Sequence, residues 1–464
     1  TPNVDAGMIK RMTRVGMGRC QGRYCGVGLN EIFKDRLTNN NHKQFSFAPQ
    51  NPIKTVPLKN IGYEKEEWYG YVKDKLPEFK CTQNKIKEKN QHKIAVIGSG
   101  IMGVSTCYSL LKNEKNICLI DRLQPNSQAS GSNAGSLHVQ LLSYDFDPKN
   151  LNQIENFKYS LKLQKKGVQE WKNIEKEINS NFEISNDGGL MLAENNKDLE
   201  KLNMKIELEK SAGIETNLIN KDEIFKLNNS ISEDMIYAGY CKEEGKINPL
   251  KATTQIYDYC VKNGLTTYCD DLIFDIKKEN NKFLIKTKNR EITADIVVNC
   301  AGSWANNIAS FLDLPLNVKS VPQQMIVTEA TKYELKLLIA HIGRHLTLKQ
   351  AQNGNYIIGG GWTAGYSNLT KHIHSKKDSF EGNTWIAKKV IPKLSNANVL
   401  RSWAAMSVDV GGYPLLGEHP KMKNFYTVVS SNGYTLGPIL GKLVSDQILF
   451  DKKDYNLFES NRLN

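Results

Sequence analysis

The stretch Lys93-Ile94-Ala95-Val96-Ile97-Gly98-Ser99-Gly100-Ile101-Met102-Gly103 leaves this chain few folds to choose from. An unbroken apolar run, the signature of a strand buried on both faces, enters Gly-x-Gly-x-x-Gly and then a helical stretch from Val104 to Leu111. A second strand, Asn116 to Ile120, ends at Asp121. Each residue type has a physical reason. Gly98 permits the tight turn, Gly100 lets the backbone approach a pyrophosphate, and Gly103 lets the helix pack closely on the strand. The helix start presents unpaired N–H groups and partial positive charge to a phosphate. Asp121 follows Gly103 by 18 residues, where a carboxylate accepts from an adenosine ribose hydroxyl. The pattern predicts a βαβ dinucleotide-binding unit and leaves FAD and NAD both open. A second Gly-x-Gly-x-x-Gly does not occur, which counts against a nicotinamide bound beside a flavin on the same chain.

A length of 464 residues allows about two or three domains around such a unit. With 40% hydrophobic and 24% charged residues the composition is globular rather than disordered. The 62 basic and 49 acidic residues give a formal +13, but the lysines are spread among Asn and Glu, as in Lys85-Ile86-Lys87-Glu88-Lys89-Asn90. No basic stripe interleaves with aromatics, so a solvated surface is expected and a nucleic-acid partner is not. Nine cysteines, an odd number, do not suggest a disulfide scaffold and point to a reducing, cytoplasmic setting. The longest apolar stretch, Lys93 to Leu111, is broken by three glycines and is not a membrane span.

Three regions follow from composition: a Gly-, Arg- and Cys-rich segment at 1–40, a connector at 41–92, and an α/β alternation from Lys93 onward. The connector holds Pro49, Pro52, Pro57 and Pro77 with an aromatic cluster at Trp68, Tyr69 and Tyr71, and is expected to lie across a surface. Helical spacing marks Leu151 to Lys176 and Lys197 to Gly213. Strands are expected at 283–287, 295–298 and 426–430, with a hairpin turning at Asn353-Gly354 between 345–348 and 355–358. A last helix is expected to start near Pro438.

Four further motifs occur in order: Ala129-Ser130-Gly131-Ser132-Asn133-Ala134-Gly135-Ser136-Leu137-His138-Val139-Gln140, Val298-Asn299-Cys300-Ala301-Gly302-Ser303-Trp304-Ala305, Tyr356-Ile357-Ile358-Gly359-Gly360-Gly361-Trp362 and Asn432-Gly433-Tyr434-Thr435-Leu436-Gly437-Pro438. With the glycine loop, they resemble the D-amino-acid oxidase/glycine oxidase superfamily of FAD-dependent amine oxidoreductases over most of 93–450. The wording of the first and third is similar to opine oxidase catalytic subunits and to the related subunit of hydrogen cyanide synthase. The resemblance implies an α/β fold with a discontinuous Rossmann-like FAD-binding domain (93–150, 240–310, 400–450). It also implies an α+β sheet-based substrate domain (151–239, 311–399), a tail at 451–464 and a small N-terminal Cys-containing helical module. It places FAD on Gly98, Gly100, Ile101, Met102, Gly103, Asp121 and Arg122, on Ser130, Ser132, Asn133, Ala134 and Gly135, on Ile273, Ala301, Gly302 and Trp304, and on Gly433, Leu436 and Gly437.

The implied chemistry is hydride transfer from a C–N bond to flavin N5, giving an imine that water hydrolyses; it needs alignment of a neutral amine more than a dedicated acid or base. His138, Trp362 and Tyr434 are candidates for the pocket, each with a packing role as its rival. Lys349, sharing a strand face with Thr347, is a candidate to hold a carboxylate or serve the flavin, with plain exposure as its rival. One departure matters. Where amino-acid oxidases of this family often carry a carboxylate-binding Arg, this chain has Ser407, and Asp409-Val410-Gly411-Gly412 replaces the usual Thr-Pro-Asp-Gly. Arg344 and Arg401 are the candidate substitutes.

Lys10 to Cys25 resembles the second half of a bacterioferritin-associated-ferredoxin-like [2Fe–2S] module. Such a cluster needs four thiolates, and only Cys20 and Cys25 match. Another chain supplies the rest, residues before Thr1 do, or the module is degenerate; Cys81 lies on the wrong side. The expectation is therefore an amine dehydrogenase or oxidase with a small-molecule amine substrate, passing electrons to a partner subunit or cluster within a hetero-oligomer. The rivals are a glycine-oxidising subunit of a hydrogen cyanide synthase and a non-catalytic flavin-bearing subunit.

Overall fold

The strand that carries the glycine loop spans Glu88–Ile97, exposed at its start and fully covered over its last four residues, as a strand must be where it enters the middle of a parallel sheet. The computed structural model describes residues 6–33, 50–52, 54–65, 76, 88–140, 142, 151–367 and 373–452, with backbone alone at 6–8 and 151–153. There Glu88–Ile97 lies inside an eight-stranded sheet, with Ile117–Ile120 parallel on one side and Arg290–Asn299 parallel on the other. Thr266–Tyr268 extends the first side, and Met422–Val429 runs parallel to the end of Arg290–Asn299. The hairpin Ile273–Glu279 and Lys282–Thr287, with Leu415–His419, completes the sheet. The chain leaves Glu88–Ile97 to one side and returns on the other, so a crevice opens between the loops after Ile97 and Asn299.

Helices Ile101–Leu110, Leu151–Glu177, Pro249–Lys262 and Gly433–Phe450 share one apolar core with this sheet, built on Val104, Trp171, Ile256 and Leu440. Ala95, Phe283, Val297 and Phe425 belong to a second core. The remaining large sheet has nine strands in the order Val56–Pro57, Asn398–Asp409, Lys319–Ala330, Asn355–Gly359, Thr347–Gln350, Leu338–His341, Gly189–Ala193, Tyr237–Cys241, Thr216–Asn220. Helix Lys377–Val390 packs on it through Trp385, Ile386 and Val390.

The two expected helices form as Leu151–Glu177 and Asn196–Ser211, the latter capped by the Asn195 side chain accepting from Asp198 N. The hairpin turns where expected, Thr347–Gln350 pairing with Asn355–Gly359. Residues 398–409, expected from 400 onward in the FAD-binding domain, instead pair along Lys319–Ala330, because a twelve-residue strand finds its matching antiparallel partner there. Tyr237–Cys241, whose last two residues were expected in the same domain, likewise joins the larger sheet. The connector contributes Val56–Pro57 as an edge strand and buries Leu58 completely. Pro49, Trp68, Tyr69, Tyr71, Pro77, Cys81 and the tail from 453 lie outside the described residues. The N-terminal segment forms helices Ala6–Thr13 and Cys25–Phe33, docked through Arg401 donating to the Met17 carbonyl and Gln21 donating to the Leu400 carbonyl. No described helix is long and apolar enough to cross a membrane.

The last helix starts at Gly433, earlier than expected, and carries Pro438 inside it. Proline offers no N–H, so the Tyr434 carbonyl loses its intrahelical donor. The indole of Trp171 replaces it, donating at 2.9 Å, while its ring stacks on Tyr434 with centroids 5.2 Å apart. Trp171→Phe keeps most of the apolar contact but strands a buried carbonyl. Urea denaturation should show a loss of about 1–3 kcal/mol; a loss below about 0.5 kcal/mol, half the mean net worth of a hydrogen bond, would show that the carbonyl is served otherwise.

Candidate active site

Backbone contact builds the glycine loop. Gly98 adopts φ +105°, and a Cβ there would sit 2.5 Å from the Cys300 carbonyl oxygen. A Cβ on Gly103 would fall 1.8 Å from the Gly98 carbonyl oxygen, so the helix Ile101–Leu110 begins in contact with the strand it follows. Its first N–H, on Ile101, donates to Ser130 Oγ at 2.9 Å. Asp121 ties the two strand ends together, accepting from Ser99 N at 2.6 Å, Ser99 Oγ at 2.7 Å and Leu123 N at 2.9 Å. Burial pushes its carboxyl pKa up, against the pull of those donors.

These residues border a deep crevice at the carboxyl ends of the parallel strands. Gly98, Gly100, Ile101, Met102 and Asp121 form one wall. Arg122, Ser130, Asn133 and Ile273 line it as well, as do Ala301, Gly302, Trp304 and Gly433. The Arg122 guanidinium lies 4.0 Å over the Trp304 ring. A strand-end cradle that admits no Cβ, a helix N-terminus and a carboxylate on the neighbouring strand fit a dinucleotide. Ser132 and Ala134 face adjoining cavities. Gly135, at φ +78°, presses on the Ile247 carbonyl. Leu436 and Gly437, expected to touch the cofactor, do not line the crevice. Because the helix starts at Gly433, they fall in its packing face: Leu436 is fully buried, and a Cβ on Gly437 would meet Ile101 at 2.7 Å.

A smaller pocket opens beside residues 132–134, bounded by His138, Gln323, Thr347, Ser407 and Tyr434. His138 keeps Nδ1 3.8 Å from Glu244 Oε1, and that oxygen is itself held by the Val139 and Gln140 N–H groups. The His138 backbone is fixed at both ends, N–H to Thr435 Oγ1 and carbonyl to Asn432 Nδ2. Tyr434 is buried, its hydroxyl 3.1 Å from Thr253 Oγ1 and its pKa pushed up by that burial. Trp362 is a correction. After Gly360, at φ +135°, the chain turns beneath helix Lys377–Val390, and the ring packs against Gly382 there rather than on the pocket.

Neither candidate arginine restores the missing guanidinium. Arg344 is engaged by Glu194 and lies 4.8 Å over the Trp385 ring. Arg401 faces a separate cavity under the first helix and its following turn. The described lining of the His138 pocket contains no Arg or Lys at all. Lys349, the candidate to hold a carboxylate or serve the flavin, is 2% exposed and opens onto that other cavity rather than the His138 pocket. Cys20 and Cys25 are unpaired and half-buried, and backbone N–H groups of Tyr24 and Gly22 lower the Cys20 thiol pKa. The only group of three possible metal ligands among the described residues is Glu194, Asp198 and His341. The described residues thus supply at most half of a four-thiolate ligand set. Sequence reasoning missed Ser99, Glu244, Trp171 and Trp403, whose indole donates to the Ser132 carbonyl at 2.8 Å; each acts through a partner distant in sequence, and no local pattern marks it.

A family model described as DAO, FAD dependent oxidoreductase, matches residues 93–447. An opine oxidase subunit of Rhizobium meliloti is 22% identical over 383 residues, 80% of this chain and 97% of that one. A glycerol 3-phosphate dehydrogenase of Caloramator mitchellensis is 24% identical over 274 residues, 57% of this chain, and the match spans about half of that relative (54%). Among solved structures, L-proline dehydrogenase from P. horikoshii superposes with TM-score 0.68 at 22% identity, covering 79% of this chain and 96% of that one. Glycine oxidase from Geobacillus kaustophilus gives 0.67 at 18%, covering 80% and 97%. These structural likenesses speak to the fold alone. The family match itself runs through the glycine loop, residues 129–135 and the start of the last helix, and the chain belongs to the DAO family of FAD-dependent oxidoreductases.

Proposed function

We propose that this protein dehydrogenates a C–N bond of an amino-acid-like or opine-like amine. The observation that carries the reading is the small pocket where residues 132–134, His138 and the start of the last helix meet beside the dinucleotide crevice. The similarity to an opine oxidase subunit and to glycine oxidases supports an amine substrate, and the former supports a hetero-oligomer in which a partner subunit takes the electrons. We assign FAD to the eight-stranded sheet with its helices and the substrate walls to the nine-stranded sheet. The described cysteines are all unpaired, which supports a reducing, cytoplasmic setting.

Bound FAD would supply the acceptor for a hydride from the carbon beside the substrate nitrogen. The chain's own groups position and polarise. The glycine loop and the N–H end of Ile101–Leu110 would hold the pyrophosphate, and Asp121 would accept from the ribose. The N-terminus of Gly433–Phe450 favours negative charge nearby by about 0.3–1 kcal/mol. His138, with Nδ1 toward Glu244, offers Nε2 to the substrate nitrogen and fixes its lone pair. With Ser407 in place of a guanidinium, neutral donors such as Gln323 and Thr347 meet the substrate carboxylate. That weakens selection for a free α-carboxylate and suits a secondary amine.

Anaerobic titration of the FAD-loaded protein with glycine, sarcosine, L- and D-proline, D-amino acids and opines should bleach the flavin band with one class. Bound flavin that none of these reduces would remove the catalytic reading. His138→Ala should slow reduction about 2- to 10-fold in stopped-flow, the kinetic value of a hydrogen bond of about 0.5–1.5 kcal/mol; an unchanged rate would place His138 outside the site. Gly103→Val should cut FAD content on purification at least several-fold, read as the 450/280 nm absorbance ratio, since its side chain must displace the Gly98 carbonyl.

A further inference from the structure

A second cavity shares Ser132, Asn133 and Ala134 with the amine pocket but is otherwise built from other elements, among them the first helix with its following turn, Thr347–Gln350 and Asn398–Asp409. Its charge is one-sided. Arg11, Arg14, Arg19 and Arg401 line it together with Lys10, Lys246 and Lys349, against the carboxylates of Glu183 and Glu329. Both carboxylates are already committed, Glu183 to Lys251 and Arg14, Glu329 to Arg19 and Asn398. Lys246 is satisfied by the Tyr333 hydroxyl and the carbonyls of Leu335 and Gln350.

Lys349 is not. Its Nζ is buried and finds no acceptor among the described residues. Gly135 lies close beside it, where a Cβ would come within 3.0 Å of Nζ. An ammonium in that position loses its hydration and faces a second buried lysine, which together push its pKa down. Burial also lowers Arg401, to about 10. Cations gathered so closely repel one another unless an anion sits among them, and guanidinium forks match phosphate oxygens two at a time. The phosphates of FAD do not meet this need. The glycine loop would hold them, and none of these seven cations lines that crevice.

We propose that this cavity is a second binding site, for a phosphate-bearing anion of two or more charges, held between Lys349 at its base and the arginines Arg14 and Arg401 where the N-terminal segment docks. It is distinct from the amine pocket, with which it shares only residues 132–134, and the first helix with its following turn completes it.

Calorimetric titration of the FAD-loaded full chain, at constant ionic strength set with NaCl, tests the site with pyrophosphate and with citrate. Saturable one-site binding of pyrophosphate is expected, weakened at least tenfold by Lys349→Met and at least threefold by Arg14→Gln, with the flavin spectrum retained in both. Tighter binding of citrate would overturn the phosphate assignment in favour of a polycarboxylate. Absence of saturable heat with either anion, or affinities unchanged in both variants, would overturn the site itself. The readout is heat rather than flavin reduction, so its outcome is independent of whether an amine is oxidised.

Discussion

The contact between Gly103 and the Gly98 carbonyl brings helix and strand together with no side chain between them. That closeness aims the first N–H groups of Ile101–Leu110 into the crevice, and Ser130 Oγ meets the first of them. It also brings Gly98 against the Cys300 carbonyl, so the loops after the two central parallel strands touch. Asp121 closes the third side through Ser99. Three strand ends are therefore locked by backbone contacts and charge-assisted hydrogen bonds before any ligand arrives. A dinucleotide meets a preformed cradle and loses less of its binding energy to ordering the protein.

The same economy of side chains places the last helix. Cβ atoms on Gly437 and Gly441 would strike Ile101 and the Ser105–Thr106 backbone, and one on Gly167 would strike the Thr435 carbonyl. Three helices thus meet at glycines, which fixes where Gly433–Phe450 begins. Its N-terminus lands at the junction of the crevice and the amine pocket because Trp171 secures the one carbonyl that Pro438 leaves without a donor. A helix end in an apolar, partly enclosed setting is screened less than one on the surface, so its partial charge acts on the site at close to full strength.

What the sequence made legible was local. The apolar run with its glycines identified the nucleotide-binding strand, helical spacing marked Leu151–Glu177 within a residue, and Asn353-Gly354 marked its hairpin. What it hid depends on partners far along the chain. Trp362 stood as a candidate for the pocket, yet its ring lies under Lys377–Val390, against Gly382. The last helix begins five residues before Pro438, which puts Leu436 and Gly437 on its packing face. Lys349 shares a face with Thr347, as residues two apart in a strand do, but burial of the whole strand depends on the sheet's central place for Thr347–Gln350. No window around Lys349 carries that information.

Charge separates the two cavities that share residues 132–134. The amine pocket shows no Arg or Lys among its described lining residues, while its neighbour gathers seven. In a low-dielectric interior this contrast matters more than the formal +13 of the whole chain, because charges spread over a solvated surface are screened within about 10 Å. An amine that must be neutral to give up hydride is favoured where no ammonium competes for its lone pair, and an anion is favoured where several do. Placing Ser407 rather than Arg in the first pocket therefore loosens the hold on a carboxylate and at the same time keeps the two electrostatic environments distinct across a loop three residues wide.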